Sequence, residues 1–346
     1  AIDSDKKAID KNHKDAEAQS GANRKVVDQP AAPLKSTQTS LLSILHPIHL
    51  CNLIGGWLYG LSHAVALPLL WRDSSTCLKA SLDQMSSVRL TRSATAVPLA
   101  RVKEIGSYFG ATINDVLVAL VTGAVRYYME AHHDPLLDSS THIRLRSLMP
   151  IGQATPPTAQ PRNRFVMLPL SMPVNHSDPI SRLQESKLRC DELKHSPEAF
   201  FLFALQGTLM RLSPALFTRT AIDLISEVTL LFTNVVGPRH QVSMVGEPLR
   251  DINFFVSQPL GACLSVLSYN GHVNLSVCTD ANVVPDPGVL LKGFELEFQA
   301  LDRLVSKMKH PIVPAPRLFP SARNSVLVLS LLVGALAFVL SYSQLV

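Results

Sequence analysis

Glu130 to Ser139 reads EAHHDPLLDS, two adjacent histidines with carboxylates close behind. Imidazole near a carboxylate can take a proton from an attacking hydroxyl, so His132 and His133 are the first candidates for a general base. Ser62, at the centre of GLSHA, imitates a nucleophile elbow but sits inside an apolar run instead of at a strand-to-helix turn. His46, His49 and His63 share one helical stripe with Asn52, Gly56 and Tyr59. No Cys or carboxylate completes a metal-binding set there, so no metal is expected. No G-x-G-x-x-G follows a strand, and neither a P-loop nor an H-E-x-x-H is present.

The elements that must position such residues begin near Ser81. Pro98 to Phe109 reads as a short helix stopped at Gly110. Thr112 then caps a longer helix with Asp115 three positions on, and Ile113, Leu117, Leu120, Val121, Ala124 and Tyr128 form its buried stripe. That helix ends near Glu130, which places EAHHDPLLDS in the following turn. Ile143 to Met149 and Phe165 to Met172 alternate like strands. Asp178 caps another helix with Pro179 at its first position, and further helix is expected from Phe200 to Ile225. Val228 to Val236 is an apolar strand. Leu264 to Ser268 and Val273 to Val277 flank Asn270-Gly271, the signature of a two-residue hairpin. Asp286 and Pro287 open the last helix of the domain. This mixture of strands and helices predicts an α/β or α+β domain over 81–310.

Of the 346 residues 47% are apolar and 17% charged, with a net charge of +5. No run of Lys and Arg interleaves with aromatics, so nucleic acid is not an expected partner. The mild positive balance suits an anionic cofactor or an anionic membrane surface. Five widely spaced cysteines without C-x-x-C read as reduced core residues facing a cytosolic environment. Residues 1–40 are polar, with almost no large apolar side chain, and are expected to be a disordered leader or a linker. Residues 41–71 carry no Asp, Glu, Lys or Arg. They read as an apolar helical segment with a polar seam, packed on protein, lying in a membrane interface or spanning a membrane. Ser325 to Val346 is uncharged throughout. At helical rise it spans about 33 Å, enough to cross a bilayer. With Arg317 and Arg323 upstream and nothing charged beyond, it is expected to be a C-terminal anchor holding the domain on the cytosolic face.

Four stretches taken together carry a resemblance: GATINDVLVALVTGAVRYYM (110–129), RLRSLMPIG (144–152), RNRFVMLPLSMP (162–173) and LFTNVVGPRHQVSMVGEPLRDINFFVSQP (231–259), extended by SVLSYNGHVNLSVCTDANVVPDP (265–287). Their order and spacing resemble the C-terminal half of the wax ester synthase/acyl-CoA:diacylglycerol acyltransferases, over about 81–304. The resemblance implies the C-terminal lobe of a two-lobed fold like that of chloramphenicol acetyltransferase, with an acyl-CoA tunnel between the lobes. It also implies that the general base is a histidine of an H-H-x-x-x-D-G motif in the N-terminal lobe. That motif does not occur in these 346 residues. In EAHHDPLLDS, Leu137 stands where the motif has Asp, Asp138 comes one place late and Ser139 follows it where Gly would be, so the stretch reads as a solvated turn and no catalytic residue is assigned in this chain.

Other positions match one by one. Asn114 and Asp115 align with an asparagine-aspartate pair thought to support the active site, although Asp115 equally serves as a helix cap. Asn234, Gly237 and Pro238 match an N-V-x-G-P turn, with Val236 in place of the usual Pro, and Arg162 stands where Gly is commoner. The resemblance implies transfer of a long acyl group from acyl-CoA, as co-substrate and without a bound cofactor, to diacylglycerol or a fatty alcohol at a membrane, with the endoplasmic reticulum as the expected site in a cell. The other reading is a non-catalytic, membrane-tethered half-domain that binds acyl chains or acts as a scaffold.

Overall fold

The computed structural model describes residues 72–308 apart from 95, 140, 153–164, 196–205, 207–209, 212 and 239. The leader, the 41–71 segment with its histidine stripe and Ser62, Arg162 and the 325–346 segment all lie outside the described residues.

Two strands, β1 (Arg89–Ser93) and β2 (Val97–Pro98), lead into helices α1 (Leu99–Tyr108) and α2 (Ile113–Ala131). Strands β3 (Arg146–Gly152) and β4 (Phe165–Ser171) precede helices α3 (Pro179–His195) and α4 (Pro214–Glu227). Then come β5 (Leu230–Val236), the small hairpin β6 (Ser243–Met244) and β7 (Glu247–Pro248), the long hairpin β8 (Ala262–Tyr269) and β9 (His272–Asp280), and α5 (Pro287–Lys307). The main sheet has the order β1-β9-β8-β5-β3-β4, with β2 also on β9. β3, β5 and β8 run parallel, and the remaining pairings are antiparallel. The expected mixed α/β domain is therefore present, with β1 and β2 as strands that periodicity did not reveal.

Several local signals act as their chemistry dictates. Asn270 and Gly271 take φ of 45° and 78°, the left-handed pair that a two-residue hairpin needs. Asp178 Oδ2 accepts from Ser181 N at 2.8 Å and Asp286 Oδ1 from Gly288 N at 3.0 Å, each capping the helix that follows.

Helix α2 differs from its expected one-sided stripe. Every residue from Asp115 to Val125 is buried, because the sheet covers one side and α1, α3 and α5 cover the others. A helix that is apolar all round belongs in such a place. Together with α1, bent 100° from it, α2 has the apolar length of a broken membrane span, but its burial in this core accounts for that composition. Among the described residues no single helix is long and apolar enough to cross a membrane.

The layer packs closely because glycines remove side chains where helices meet. A Cβ on Gly293 would lie 2.9 Å from Ala124 Cα, and one on Gly123 would lie 2.4 Å from Glu297 Cδ. The space at Gly123 holds a buried ion pair. Arg182 Nε donates to Glu297 Oε1 at 3.0 Å and its Nη2 to Oε2 at 2.5 Å, while Nη1 donates to the carbonyls of His176 and Ser177.

The opposite sheet face carries a second apolar cluster, with Leu148, Leu231, Cys263 and Cys278 from the strands and Leu224 and Ile225 from α4 packed against them. β8 and β9 are buried along nearly their whole length, although in β9 Asn274 and Ser276 interrupt the apolar residues on this second face.

The domain also begins earlier than the expected residue 81. Leu78 is fully buried, and Asp73 joins the starts of β3 and β5. Its carboxylate accepts from Arg146 N, Arg146 Nε and Thr229 Oγ1 at 2.6–2.8 Å. No apolar periodicity marks 72–80, since the segment is held by polar pairing.

Removing Arg182 leaves Glu297 buried without its partner. Arg182→Met is expected to lower unfolding free energy by about 3–5 kcal/mol, and the double variant Arg182→Met/Glu297→Met to recover most of that loss. Urea unfolding followed by tryptophan fluorescence or circular dichroism measures both.

Candidate functional site

The site residues named from sequence fall on two elements that the fold brings together. Asn114 and Asp115 occupy the first turn of α2, and Asn234 lies near the end of β5. β5 pairs with β8 along its whole length but with β3 only at Leu230 and Leu231. From Phe232 onward β3 and β5 part, and β5 runs from buried to exposed, ending with Val235 at 41% and Val236 at 76% exposure. The N-terminus of α2 stands at this open end. Asn234 Nδ2 donates to Asn114 Oδ1 at 3.4 Å, a long hydrogen bond joining residues 120 apart in sequence.

Asp115, the neighbour of Asn114, faces the other way. Its Oδ2 accepts from Thr112 N at 2.8 Å while Thr112 Oγ1 accepts from Asp115 N at 3.3 Å, the reciprocal box that satisfies two orphan donors. Its Oδ1 accepts from Lys194 Nζ at 2.9 Å, so a fully buried carboxylate is neutralised from the end of α3. Burial opposes the Lys194 ammonium, but the bond to Asp115 outweighs it and raises its pKa. Cys190, one turn earlier on α3, is pushed up to about 12 by burial first and then by Asp115. Asp115 is thus committed to a cap and an ion pair, whereas half-buried Asn114 keeps its amide at the opening. The pair divides into one structural residue and one that a substrate could meet.

Gly237 and Pro238 follow directly on β5. Gly237 N donates to Ser268 O at 2.9 Å, carrying the chain past the end of β8. A Cβ at Gly237 would come within 2.7 Å of Ser268 O and 3.1 Å of Leu267 Cδ2, so the turn needs a residue without one. Val236, where a proline was expected, is still in the ladder opposite Ser268. Pro238 is exposed.

His132 and His133 lie at the far end of α2, about 28 Å along the helix axis from Asn114 at 1.5 Å per residue. Both are exposed. The His132 ring stacks on Tyr128 at 4.0 Å, its Nδ1 lies 3.0 Å from Tyr128 O, and His133 has a φ of 49° in the helix-ending turn. The adjoining Asp134 departs from the solvated turn expected of this stretch. It is 3% exposed and accepts from Cys77 N at 2.8 Å and Leu136 N at 3.0 Å, tying the turn to the segment before β1. Sequence spacing could not separate these roles, because the partner of Asp134 lies 57 residues away. Among the described residues no group of three or more His, Cys, Asp or Glu is placed to hold a metal ion.

Residues 162–302 match the family model described as the WS/DGAT C-terminal domain. A probable diacylglycerol O-acyltransferase of Mycobacterium tuberculosis is 29% identical over 226 residues, covering 63% of this chain and 47% of the relative. Wax ester synthase/diacylglycerol acyltransferase 11 of Arabidopsis thaliana is 28% identical over 211 residues, covering 54% of this chain and 43% of the relative. The solved wax ester synthase/diacylglycerol acyltransferase of Marinobacter aquaeolei VT8 shares the fold with a TM-score of 0.51 at 17% identity, over 74% of this chain and 56% of that one. The chain spans about half the length of the curated relatives it matches.

The division between Asn114 and Asp115 is measurable. Asp115→Ala, which removes the cap and leaves Lys194 only its bond to Asp191, is expected to cost about 1–2 kcal/mol in urea unfolding. Asn114→Ala removes one long, half-exposed hydrogen bond and should cost about 0.5 kcal/mol. Equal losses from the two substitutions would contradict the division.

Proposed function

We propose, from the match of residues 162–302 to the WS/DGAT C-terminal domain, that this chain is the C-terminal half of an O-acyltransferase. The reaction moves a long-chain acyl group from acyl-CoA to diacylglycerol or a fatty alcohol, forming triacylglycerol or wax ester. Acyl-CoA is the co-substrate and no bound cofactor takes part. In this reading the acceptor hydroxyl loses its proton to a histidine of the other half, and the freed oxygen attacks the thioester carbonyl as coenzyme A thiolate leaves. A positioned base of this kind contributes about 10² to 10⁴-fold. This chain supplies the wall of the acyl-CoA tunnel opposite that base, in the two-lobed arrangement of chloramphenicol acetyltransferase.

The observation that carries the reading is the meeting of Asn114 and Asn234 where β3 and β5 part. Two motifs that sequence resemblance named separately converge there, with a half-buried amide from each at an open end of the sheet. Amides placed this way can hold an ester or thioester oxygen by hydrogen bonds without adding a charge that would resist an apolar substrate. The glycine turn at 237 keeps the opening narrow, and exposed Val235 and Val236 give it an apolar lip.

The apolar 325–346 segment completes the proposal as a single-pass anchor. It keeps the domain on the cytosolic face of a membrane, the endoplasmic reticulum in a eukaryotic cell, where both acceptors are dissolved.

The test combines this chain with the portion of the Mycobacterium tuberculosis relative outside the match and supplies labelled acyl-CoA with diacylglycerol or hexadecanol. Labelled ester is expected with at least one acceptor, reduced at least tenfold by Asn234→Ala and unchanged by His132→Ala/His133→Ala. Absence of ester with both acceptors favours the scaffold reading, and a loss of two decades in the histidine variant would place the base in EAHHDPLLDS. Carbonate extraction of membranes tests the anchor: the full chain is expected in the pellet and a chain ending at Lys307 in the supernatant.

A further inference from the structure

Between the small hairpin and β8 the chain alternates in burial residue by residue. Ile252, Phe254, Val256 and Gln258 turn inward, and Asp251, Asn253, Phe255 and Ser257 turn outward. A two-residue period is the mark of an extended strand, yet this segment enters neither sheet. It lies across the second face of the main sheet, held there by side chains. Asn274 Nδ2 donates to Ile252 O at 3.0 Å, Ser276 Oγ donates to Asn253 Oδ1 at 3.1 Å, and Val256 packs on the cluster around Cys263.

Its own backbone is left open. Among the described residues, none of the eight N–H groups from Arg250 to Ser257 donates to a backbone or side-chain acceptor, while the Gln258 amide hydrogen-bonds the Cys263 sulfur. A row of open donors along an extended segment is what a sheet edge offers to an incoming strand. Apolar surface at the same end of the sheet is also uncovered. Val236 is 76% exposed opposite Ser268, and the β6–β7 hairpin, tied to the end of β8 by Val242 N donating to Tyr269 Oη at 3.0 Å, carries Val245 at 98% exposure. Val245 also has a φ of 53°, strained for a β-branched residue.

We propose that Asp251–Ser257 is a docking strand, and that its occupant is a β-strand from the part of the relatives' length that lies outside the match. The proposal rests on the reading above that a second half completes this one. The segment lies inside the matched domain, 162–302, and the chain aligns with only about half the length of the relatives it matches. A bilayer is the wrong occupant, since it would strip water from Asp251, Asn253, Ser257 and the open amides without returning hydrogen bonds. An incoming strand satisfies the amides and lays side chains on Phe255, which is 45% exposed.

Backbone hydrogen exchange on the full chain, alone and combined with the remaining portion of the Mycobacterium tuberculosis relative, tests this. Alone, the amides of 250–257 should exchange within about tenfold of free-chain rates; in the complex at least five of the eight should slow by 100-fold or more. Phe255→Pro removes a donor that bonds nothing among the described residues, so the variant should keep its unfolding midpoint yet bind at least tenfold more weakly, whereas Phe255→Ala should lose less than threefold. Four results would overturn the proposal: protection already present in the isolated chain, failure of the two portions to bind, binding that leaves 250–257 unprotected, or equal protection by phosphatidylcholine vesicles or by self-association. Ester formation without protection sinks the strand alone, and protection without ester sinks the acyltransfer reading alone.

Discussion

Arg182 and Glu297 meet inside the helical layer, over the missing side chain of Gly123, and their alignment decides where α3 and α5 can sit on α2. Burial raises the Glu297 pKa even with Arg182 opposing it, so the pair acts more as a register device than as a source of stability. Any slide of α3 along α2 would leave two buried charges unpaired. Helix α3 is pinned again at its other end, where Lys194 reaches the buried Asp115. The two ties run from the middle of α2 to its first turn and hold α3 antiparallel beside it.

That frame delivers one helix terminus to one place. With Asp115 drawn into the core by Thr112 and Lys194, Asn114 is left facing the strand end where Asn234 sits. The sheet opens at the same point, since β3 leaves β5 after two paired residues while β8 continues beside it. A capped helix end, a parting of parallel strands and a glycine turn therefore coincide. Each has a structural cause of its own, and together they bring the two asparagine motifs to one open end of the sheet.

The second sheet face shows a different economy of polar groups. Where the helical face is held mainly by apolar packing and paired charges, this face is spanned by an extended segment hung from Asn274 and Ser276, whose amides from Arg250 to Ser257 donate to nothing among the described residues. Backbone N–H groups in regular elements are paired within them, which sets this segment apart from the strands it crosses.

Much of the local structure was legible in the residues themselves. Asn270-Gly271 demanded positive φ, Thr112 with Asp115 and Asp286 with Pro287 announced helix starts, and alternation marked β4, because these depend on neighbours within four positions. The candidate site was half legible: motif resemblance named Asn114, Asp115, Asn234, Gly237 and Pro238, but not that Asp115 turns away while the two asparagines touch. β1, the 72–80 segment and buried Asp134 gave no signal, for their partners are Asp280, Arg146 and Cys77, each more than fifty residues distant. Chain-local chemistry sets turns, caps and strand periods; which polar groups end up sharing a low-dielectric interior, and which remain open, is decided only when distant segments are packed against one another.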